Sequence, residues 1–502
     1  METRSQDELN QEIELKLQLL NDVEAESIWQ LPFVSRGLID TPEQTFLYSV
    51  YYDSVDHRLL KQGYTLRVRK NKGDNTLTIK KMGEVTAGLH QRAEWNYPLS
   101  SEMPSVEAIE DQELRASLEN VLEGQRLEPL MVTDFIRTQS NWQDEKGNLV
   151  ELAIDKGHIE TEKQREIICE VELELKKGQA TVLLHMGEAL ASEFPMIPGN
   201  ESKFYRGLRM LDLDHRVTPP DENPEKKQMN INQHDLGNVV PVLLEEAFQK
   251  VLLRYQQLST HDHTDEGVHQ IRVSCRHVRS LLFFFKPALR GKSWKLLEKD
   301  LGAMAKKFAQ LREVQVMKYH YQQSTCVENC SQIEEIIGEH YDKEWKSIEK
   351  VMQTGEMTPT LLRLWRMVTS LQLKKNYKVK SINTFAEERL ISWMEKYNQS
   401  HSKLDRWDMK HLHQVRIKGK RIRYATEWLQ PVLPKKLLKT IKPLKEHQEL
   451  MGQLHDMHCE RLKLRAWIDQ KGSTVDGMFQ LGFYEGWQEK NKHQLWERLI
   501  KR

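Results

Sequence analysis

The chain changes its hydrophobic rhythm once. Up to about residue 176, short stretches alternate polar and apolar positions with a period of two: EIELKL at 12–17, TLRVRK at 65–70, TLTIKK at 76–81, RAEWNY at 92–97, LVELAID at 149–155 and ICEVELELK at 168–176. Successive side chains on a strand point to opposite faces, so such runs predict strands. The turn-formers between them, Asn71-Lys72-Gly73-Asp74 and Glu145-Lys146-Gly147-Asn148, predict antiparallel connections and a mainly β barrel or curled sheet. EIELK alone also suits a helix, because Glu12 and Lys16 would form an i,i+4 pair there. The same alternation in its neighbours favours strand.

Three prolines and a mixed-charge run, VTPPDENPEKKQMNIN at 217–232, then break the pattern. Beyond them the apolar spacing becomes three and four, as in VVPVLLEEAFQKVLLRY at 239–255 and INTFAEERLISWMEKY at 382–397, which predicts helices. VHQIRVSCRHVRSLL at 268–282 aligns without gaps to LHQVRIKGKRIRYAT at 412–426, an internal duplication within an all-helical bundle. The expected organisation is an α+β two-domain chain: a β domain over 5–210, a linker over 211–235 and a helical domain over 236–500.

Charge sharpens this division. The whole chain balances 74 basic against 74 acidic residues, yet up to Gly207 it holds 23 Lys+Arg against 37 Asp+Glu. The N-terminal part carries −14 and the remainder +14, so the second domain is expected to face a polyanion. No apolar run approaches the roughly 20 residues of a membrane helix, and METRSQDELNQEIELK lacks the layout of a secretory signal. A cytoplasmic protein without membrane partners is the expectation, and its five cysteines are expected to be reduced thiols.

Period two puts Glu12, Glu14 and Lys16 on one strand face, aligns Arg67 with Arg69, and aligns Glu170 with Glu172 and Glu174. One such row is ordinarily a solvated face. Several rows of a single sign call for compensation, because carboxylates in line repel each other. Mg²⁺ or Mn²⁺, which prefer carboxylate oxygens and bridge phosphates, would supply it. The basic set Arg67, Arg69, Lys80, Lys81, Arg92, Arg137 and Lys203 suits phosphate oxygens. Together the two sets fit a metal-bound oligophosphate.

Several of these segments, in order over about 200 residues, resemble the CYTH domain of triphosphate tunnel metalloenzymes. They are Glu12-Ile-Glu14-Leu-Lys16, Tyr52-Asp53-Ser54, Leu66-Arg67-Val68-Arg69, Thr78-Ile79-Lys80, Arg92-Ala-Glu94, Glu151-Leu-Ala-Ile-Asp155-Lys-Gly157, Glu170-Val-Glu172-Leu-Glu174 and Ser202-Lys203-Phe-Tyr-Arg206-Gly207. The resemblance implies an eight-stranded antiparallel barrel enclosing a tunnel where a terminal phosphate is cleaved with Mg²⁺ or Mn²⁺. It implies that Glu12, Glu14, Glu170 and Glu172, with Asp155 and Glu174, hold metal. Arg67, Arg69, Lys80, Arg92, Arg137 and Lys203 would hold phosphates. Lys16, with Glu12 and Glu14 at the catalytic centre, would orient the attacking water or contact phosphate. Phosphoryl transfer asks mainly for positioning and neutralisation, which such a tunnel supplies.

On a helix, His269, Arg272, Arg276 and Arg279 share one face, and His413, Arg416, Lys420 and Arg423 repeat it, with Arg421 beside them. The duplicated motif resembles the CHAD domain, which implies polyphosphate binding on a basic surface. One departure is Arg312-Glu313-Val314-Gln315-Val316, where that family usually carries Arg-Asp-x-Asp-Val. Nucleic acid is the rival partner, disfavoured by the lack of a named nucleic-acid motif. There is also no G-x-x-x-x-G-K-[ST], H-E-x-x-H or G-x-S-x-G sequence. The arrangement resembles bacterial inorganic triphosphatases with both modules, and implies hydrolysis of inorganic triphosphate to diphosphate and phosphate. The alternatives are an organic triphosphatase, acting on thiamine triphosphate or a nucleotide, and a non-catalytic polyphosphate-binding adaptor.

Overall fold

The computed structural model describes residues 11–20, 22–71, 74–81, 83–86, 89–199, 201–214, 235–260, 264–324, 331–472 and 474–500. The chain divides into two compact units, Met1–Gln228 with Thr354–Arg366, and Met229–Gln353 with Met367–Arg502. Most of the expected linker, 215–234, lies outside the described residues.

The first unit is built on β1 (Gln11–Leu19), β2 (Glu43–Asp53), β3 (Tyr64–Asn71), β4 (Asp74–Lys81), β5 (Glu84–Thr86), β6 (Leu89–Leu99), β7 (Glu128–Gln143), β8 (Leu149–Glu160), β9 (Arg165–Lys177) and β10 (Met196–Pro198). The sheet runs β1-β9-β8-β7-β2-β3-β4-β6, and β6 pairs back to β1 through Gln11–Leu15. Eight antiparallel strands therefore close into a ring, with β5 added on β6 and β10 on the remaining part of the β1 edge. Closure leaves an inside and an outside, so the alternating rows acquire fixed destinations.

On β1 both rows are buried. Glu14 and Lys16 are 3% and 4% exposed, and Leu15 and Leu17 on the other face are fully covered. The charged row is thus an interior row rather than a solvated face. Counting helices of eight residues or more, α1 (Gln112–Leu122), α2 (Thr181–Glu193) and α3 (Lys203–Met210) accompany the barrel. α2 covers the apolar side of β1, because at Gly187 an added Cβ would lie 2.6 Å from Leu15 and 3.5 Å from Leu17. The β7–β8 turn is set by Asp144, whose carboxylate accepts from the Lys146 and Asn148 amides, and by Gly147 at φ +80°.

The helical segments are α4 (Leu236–Thr260), α5 (Asp265–Phe285), α6 (Ser293–Lys307), α7 (Ala309–Gln323), α8 (Ser331–Gln353), α9 (Thr358–Thr369), α10 (Ile382–His401), α11 (Met409–Leu429), α12 (Leu444–Lys471) and α13 (Val475–Ile500). The two repeat copies occupy α5 and α11. Each helix starts at a side-chain cap, Thr264 accepting from the Gly267 amide and Asp408 from the His411 amide. α5 and α11 pack against each other, with His277 and Tyr424 ring centroids 4.6 Å apart. No described helix is long and apolar enough to cross a membrane.

Candidate active site

The ring encloses a cavity of about 270 Å³ lined mostly by charged residues. Acidic residues come from neighbouring strands: Glu12 and Glu14 from β1, Glu172 and Glu174 from β9, Glu151 from β8. Register explains the grouping. Glu14 faces Glu174 across β1–β9, Lys16 faces Glu172, and across β8–β9 Glu151 faces Glu174 and Asp155 faces Glu170. Cross-strand pairs of like charge are destabilising unless cations compensate.

The compensation is local and dense. Arg137, facing Asp155 across β7–β8, grips it with two bonds of 2.7 Å and also contacts Glu172. Lys203 is delivered by the first turn of α3, whose Ser202 caps the Tyr205 amide. Its ammonium donates to Asp155 at 2.7 Å and to Glu172 at 3.0 Å, and it contacts Glu170. Lys16 bridges Glu14, at 3.2 Å, and Glu172. Burial pushes the Lys16 and Lys203 ammonium groups down, but the surrounding carboxylates outweigh it, and both are raised above the ordinary lysine range. Burial likewise pushes Glu172 up; Lys16, Lys203 and Arg137 reverse this and hold it well below the usual carboxylate range. Glu174 goes the other way: burial raises it, Glu12 and Glu151 add to the rise, and its 2.7 Å pair with Lys176 does not cancel it.

Ligand oxygens of Asp155, Glu170 and Glu172 all lie within 4.8 Å of one another. An all-carboxylate donor set from adjacent strands fits a hard divalent cation. Glu12 and Glu14 sit on the neighbouring strand, Glu12 held by Lys80 at 2.9 Å.

Opposite the acids, Arg67 and Arg69 of β3 and Lys80 of β4 line the same cavity. Arg69 donates to Ser49 at 3.3 Å, and burial together with Arg67 and Arg137 lowers it to about 9. The buried Arg67 Nε has no hydrogen-bond partner, although Nη2 reaches Thr78 at 3.4 Å. A concentration of positive charge with an unsatisfied buried donor fits a phosphate oxygen. The backbone of Arg92 pairs with Glu12, while its side chain lies outside the described residues. Lys81 is on the other strand face, over the Tyr64 ring at 5.4 Å, so it is not part of this group.

Four further residues belong to the site. Glu94 faces Lys80 across β4–β6 and pairs with it, and Glu151 shares the inward period of Asp155, so both were visible in the alternation. Arg206 bonds Glu166 at 2.7 Å and reaches Glu170 at 3.4 Å behind the wall. Tyr51 carried no charge signal; burial raises its hydroxyl, but Arg67 and Arg69 outweigh that and lower it below the ordinary tyrosine value. Asp53, in the quoted Tyr-Asp-Ser stretch, is structural, accepting from the Ser54, Leu59 and Leu60 amides.

In the second unit, the duplicated faces meet in part. Burial lowers Lys420 to about 6, helped by Arg416 and Arg276, and lowers Arg272 to about 10 with Arg276 contributing. Arg276 is lowered by burial and by Arg416 and Arg423. Burial, Arg312 and Arg276 bring His269 down to about 4, and burial with Arg416 lowers His413. Arg416 has one acid in reach, Asp456 at 3.4 Å, and its buried Nε has no hydrogen-bond partner. Arg279 is instead taken by Glu298, at 2.9 Å, and Arg421 lies over the Phe283 ring at 3.9 Å, so these two are diverted to local partners.

A family model of the CYTH domain matches residues 10–207, and one of the CHAD domain matches 242–465. An inorganic triphosphatase of Haemophilus influenzae is 36% identical over 200 residues, which is 39% of this chain and 54% of that protein. The match thus spans about half the length of this curated relative. Among solved structures, the CHAD domain from the plant Ricinus communis covers 53% of this chain and 90% of its own at 18% identity and a TM-score of 0.44. A Hippeastrum protein described as having a dominant triphosphatase activity covers 40% of this chain and 96% of its own at 16% identity and a TM-score of 0.28. The chain joins a CYTH domain, at residues 10–207, to a CHAD domain, at residues 242–465.

Proposed function

We propose that the first unit hydrolyses inorganic triphosphate to diphosphate and phosphate with Mg²⁺ or Mn²⁺, and that the second binds polyphosphate. The observation that carries this reading is the closed ring whose interior sets carboxylates of β1, β8 and β9 against guanidinium and ammonium groups of β3, β4 and β7. The relative from Haemophilus influenzae, itself called an inorganic triphosphatase, supports it over the matched segment.

Asp155, Glu170 and Glu172, with Glu12, Glu14 and Glu174 beside them, would hold the divalent cation. When bound, that cation neutralises phosphate oxygens and makes a water more acidic. Arg67, Arg69, Lys80 and Arg137 draw the phosphate oxygens and hold the leaving diphosphate in line. In the structure acids and bases satisfy each other, as in Lys80–Glu12 and Arg137–Asp155. Triphosphate and cation arriving together replace each internal pair by two new ones, which offsets the cost of opening it. Lys16 is an ammonium, raised by Glu14 and Glu172 against its burial. It therefore donates to a water or phosphate oxygen and does not serve as the base.

A bare triphosphate fits better than an organic one. The aromatic wall residues are already engaged: Tyr51 stacks on Phe204 at 5.3 Å, and Phe135 lies under Lys203 at 4.8 Å. The wall offers charge rather than a stacking platform for a base or thiazole. Phosphate release from inorganic triphosphate, ATP and thiamine triphosphate with excess Mg²⁺ tests the choice; a faster rate on either organic substrate would overturn it.

For the second unit, support comes from Arg276 and Lys420, both lowered by burial and then by neighbouring cations, Arg416 and Arg423 among them. Closely spaced phosphates relieve such repulsion. Binding of polyphosphate to the full chain, weakened by Arg416→Ala together with Arg276→Ala, checks this assignment; unchanged binding would contradict it.

A further inference from the structure

The chain enters the first unit twice. Thr354–Arg366 belongs to it although the whole of Met229–Gln353 intervenes. This segment holds most of α9, and its Leu361, Leu362, Leu364 and Trp365 are buried.

Three contacts locate it. At Gly187 of α2 an added Cβ would meet Leu362 at 3.2 Å as well as Leu15 and Leu17 of β1, so the three leucines converge on one bare stretch of backbone. The next residue, Glu188, accepts from Arg366 at 2.7 and 3.3 Å. At the segment's start, Gly355 has φ +64°, and a Cβ there would stand 2.2 Å from the Met196 carbonyl oxygen. Met196 pairs with Leu19 of β1. All three contacts therefore bear on the outer side of β1 or on the elements seated there.

The inner side of the same strand carries Glu12, Glu14 and Lys16. Because side chains alternate along a strand, a shift of Leu15 and Leu17 is passed to Glu14 and Lys16 through the shared backbone. We infer that the 354–366 segment is the outer buttress of β1, with Leu362 and Arg366 as positioning residues for Glu14 and Lys16. The N-terminal residues supply the strands and lining of the tunnel, and this later segment supports β1 from outside. The consequence for turnover rests on the triphosphatase reading above; the consequence for β1 order does not.

The test uses the full chain carrying Leu362→Ala, Arg366→Glu, or Arg366→Glu combined with Glu188→Arg. Two readouts are taken: hydrogen exchange of the β1 amides against those of β3 and β4, and kcat and KM for triphosphate with Mg²⁺. Each single variant is expected to speed β1 exchange by about tenfold or more while leaving β3 and β4 unchanged. It is expected to lower kcat by about 10- to 100-fold with a smaller change in KM, since Arg67 and Arg69 stay in place. The charge-swapped pair is expected to recover both readouts. Arg366→Glu keeps the test open should Leu362→Ala fail to fold. Unchanged β1 exchange, or equal acceleration throughout the unit, would overturn the buttress. A wild-type chain without phosphate release would remove the triphosphatase reading, and the exchange comparison would still decide the buttress.

Discussion

Lys16 condenses the chemistry of the site into one residue. It is buried between Glu14 and Glu172, and its proton is retained because those carboxylates outweigh the cost of burying an ammonium. Removing Glu14 takes away a tunnel carboxylate and one Lys16 partner together. Glu14→Ala is therefore expected to lower phosphate release by about 10²-fold or more at saturating Mg²⁺, as a steady-state assay would measure. Lys420 gives a second residue-level expectation. Burial and neighbouring cations hold it at about 6, so near pH 7 it is largely neutral until an anion arrives. Bound phosphates favour the charged form and raise that value, so binding takes up protons, and affinity falls as pH rises above about 6. Calorimetry in buffers of different ionisation enthalpy is expected to register this uptake, and Lys420→Met is expected to reduce it.

Among the strands, the β7–β8 pairing leaves no room for a side chain at Gly157. A Cβ there would stand 2.1 Å from the Asp134 carbonyl oxygen and 2.4 Å from the Phe135 Cα, both backbone atoms with no room to yield. Gly157→Ala is expected to destabilise the first unit by about 2 kcal/mol or more, seen as a lower thermal midpoint, and to disturb the Arg137–Asp155 pair two residues along β8. The alternation in the sequence was enough to find β1, β3, β4, β6, β8 and β9, because a strand's period does not depend on what covers it. It was enough, too, to align Glu12 with Glu14 and Glu170 with Glu172 and Glu174, whereas Glu94 and Glu151 stood in alternating stretches of their own without being aligned with them. Tyr51 stayed hidden because an uncharged residue in a strand gives no sign of which face will be lined with arginines. The diversion of Arg279 and Arg421 was equally illegible: a helical face groups cations, but Glu298 and Phe283, which claim these two, come from other parts of the sequence or of the helix. The placement of 354–366 was the least accessible, since an apolar helix face reads the same whichever unit buries it.

At the scale of the whole molecule, opposite charges are sorted into different parts of the chain, −14 up to Gly207 and +14 beyond it. In the first part, acid removes what holds the ring together. Glu172 is depressed in the folded chain, so it stabilises above the ordinary glutamate range and that contribution is lost as pH falls through and below it. The thermal midpoint of the first unit is expected to drop as pH is lowered below about 4.5, and to drop less steeply in Glu172→Gln. In the second part the excess positive charge makes polyphosphate binding depend on ionic strength, weakening as salt screens the cluster. The central claim is that the acidic and basic rows together make a metal-dependent triphosphatase, and phosphate release from inorganic triphosphate tests it most directly. With excess Mg²⁺ the full chain is expected to release one phosphate per triphosphate and leave diphosphate, and chelator is expected to stop it. Release no faster than in the chelated control would contradict the claim.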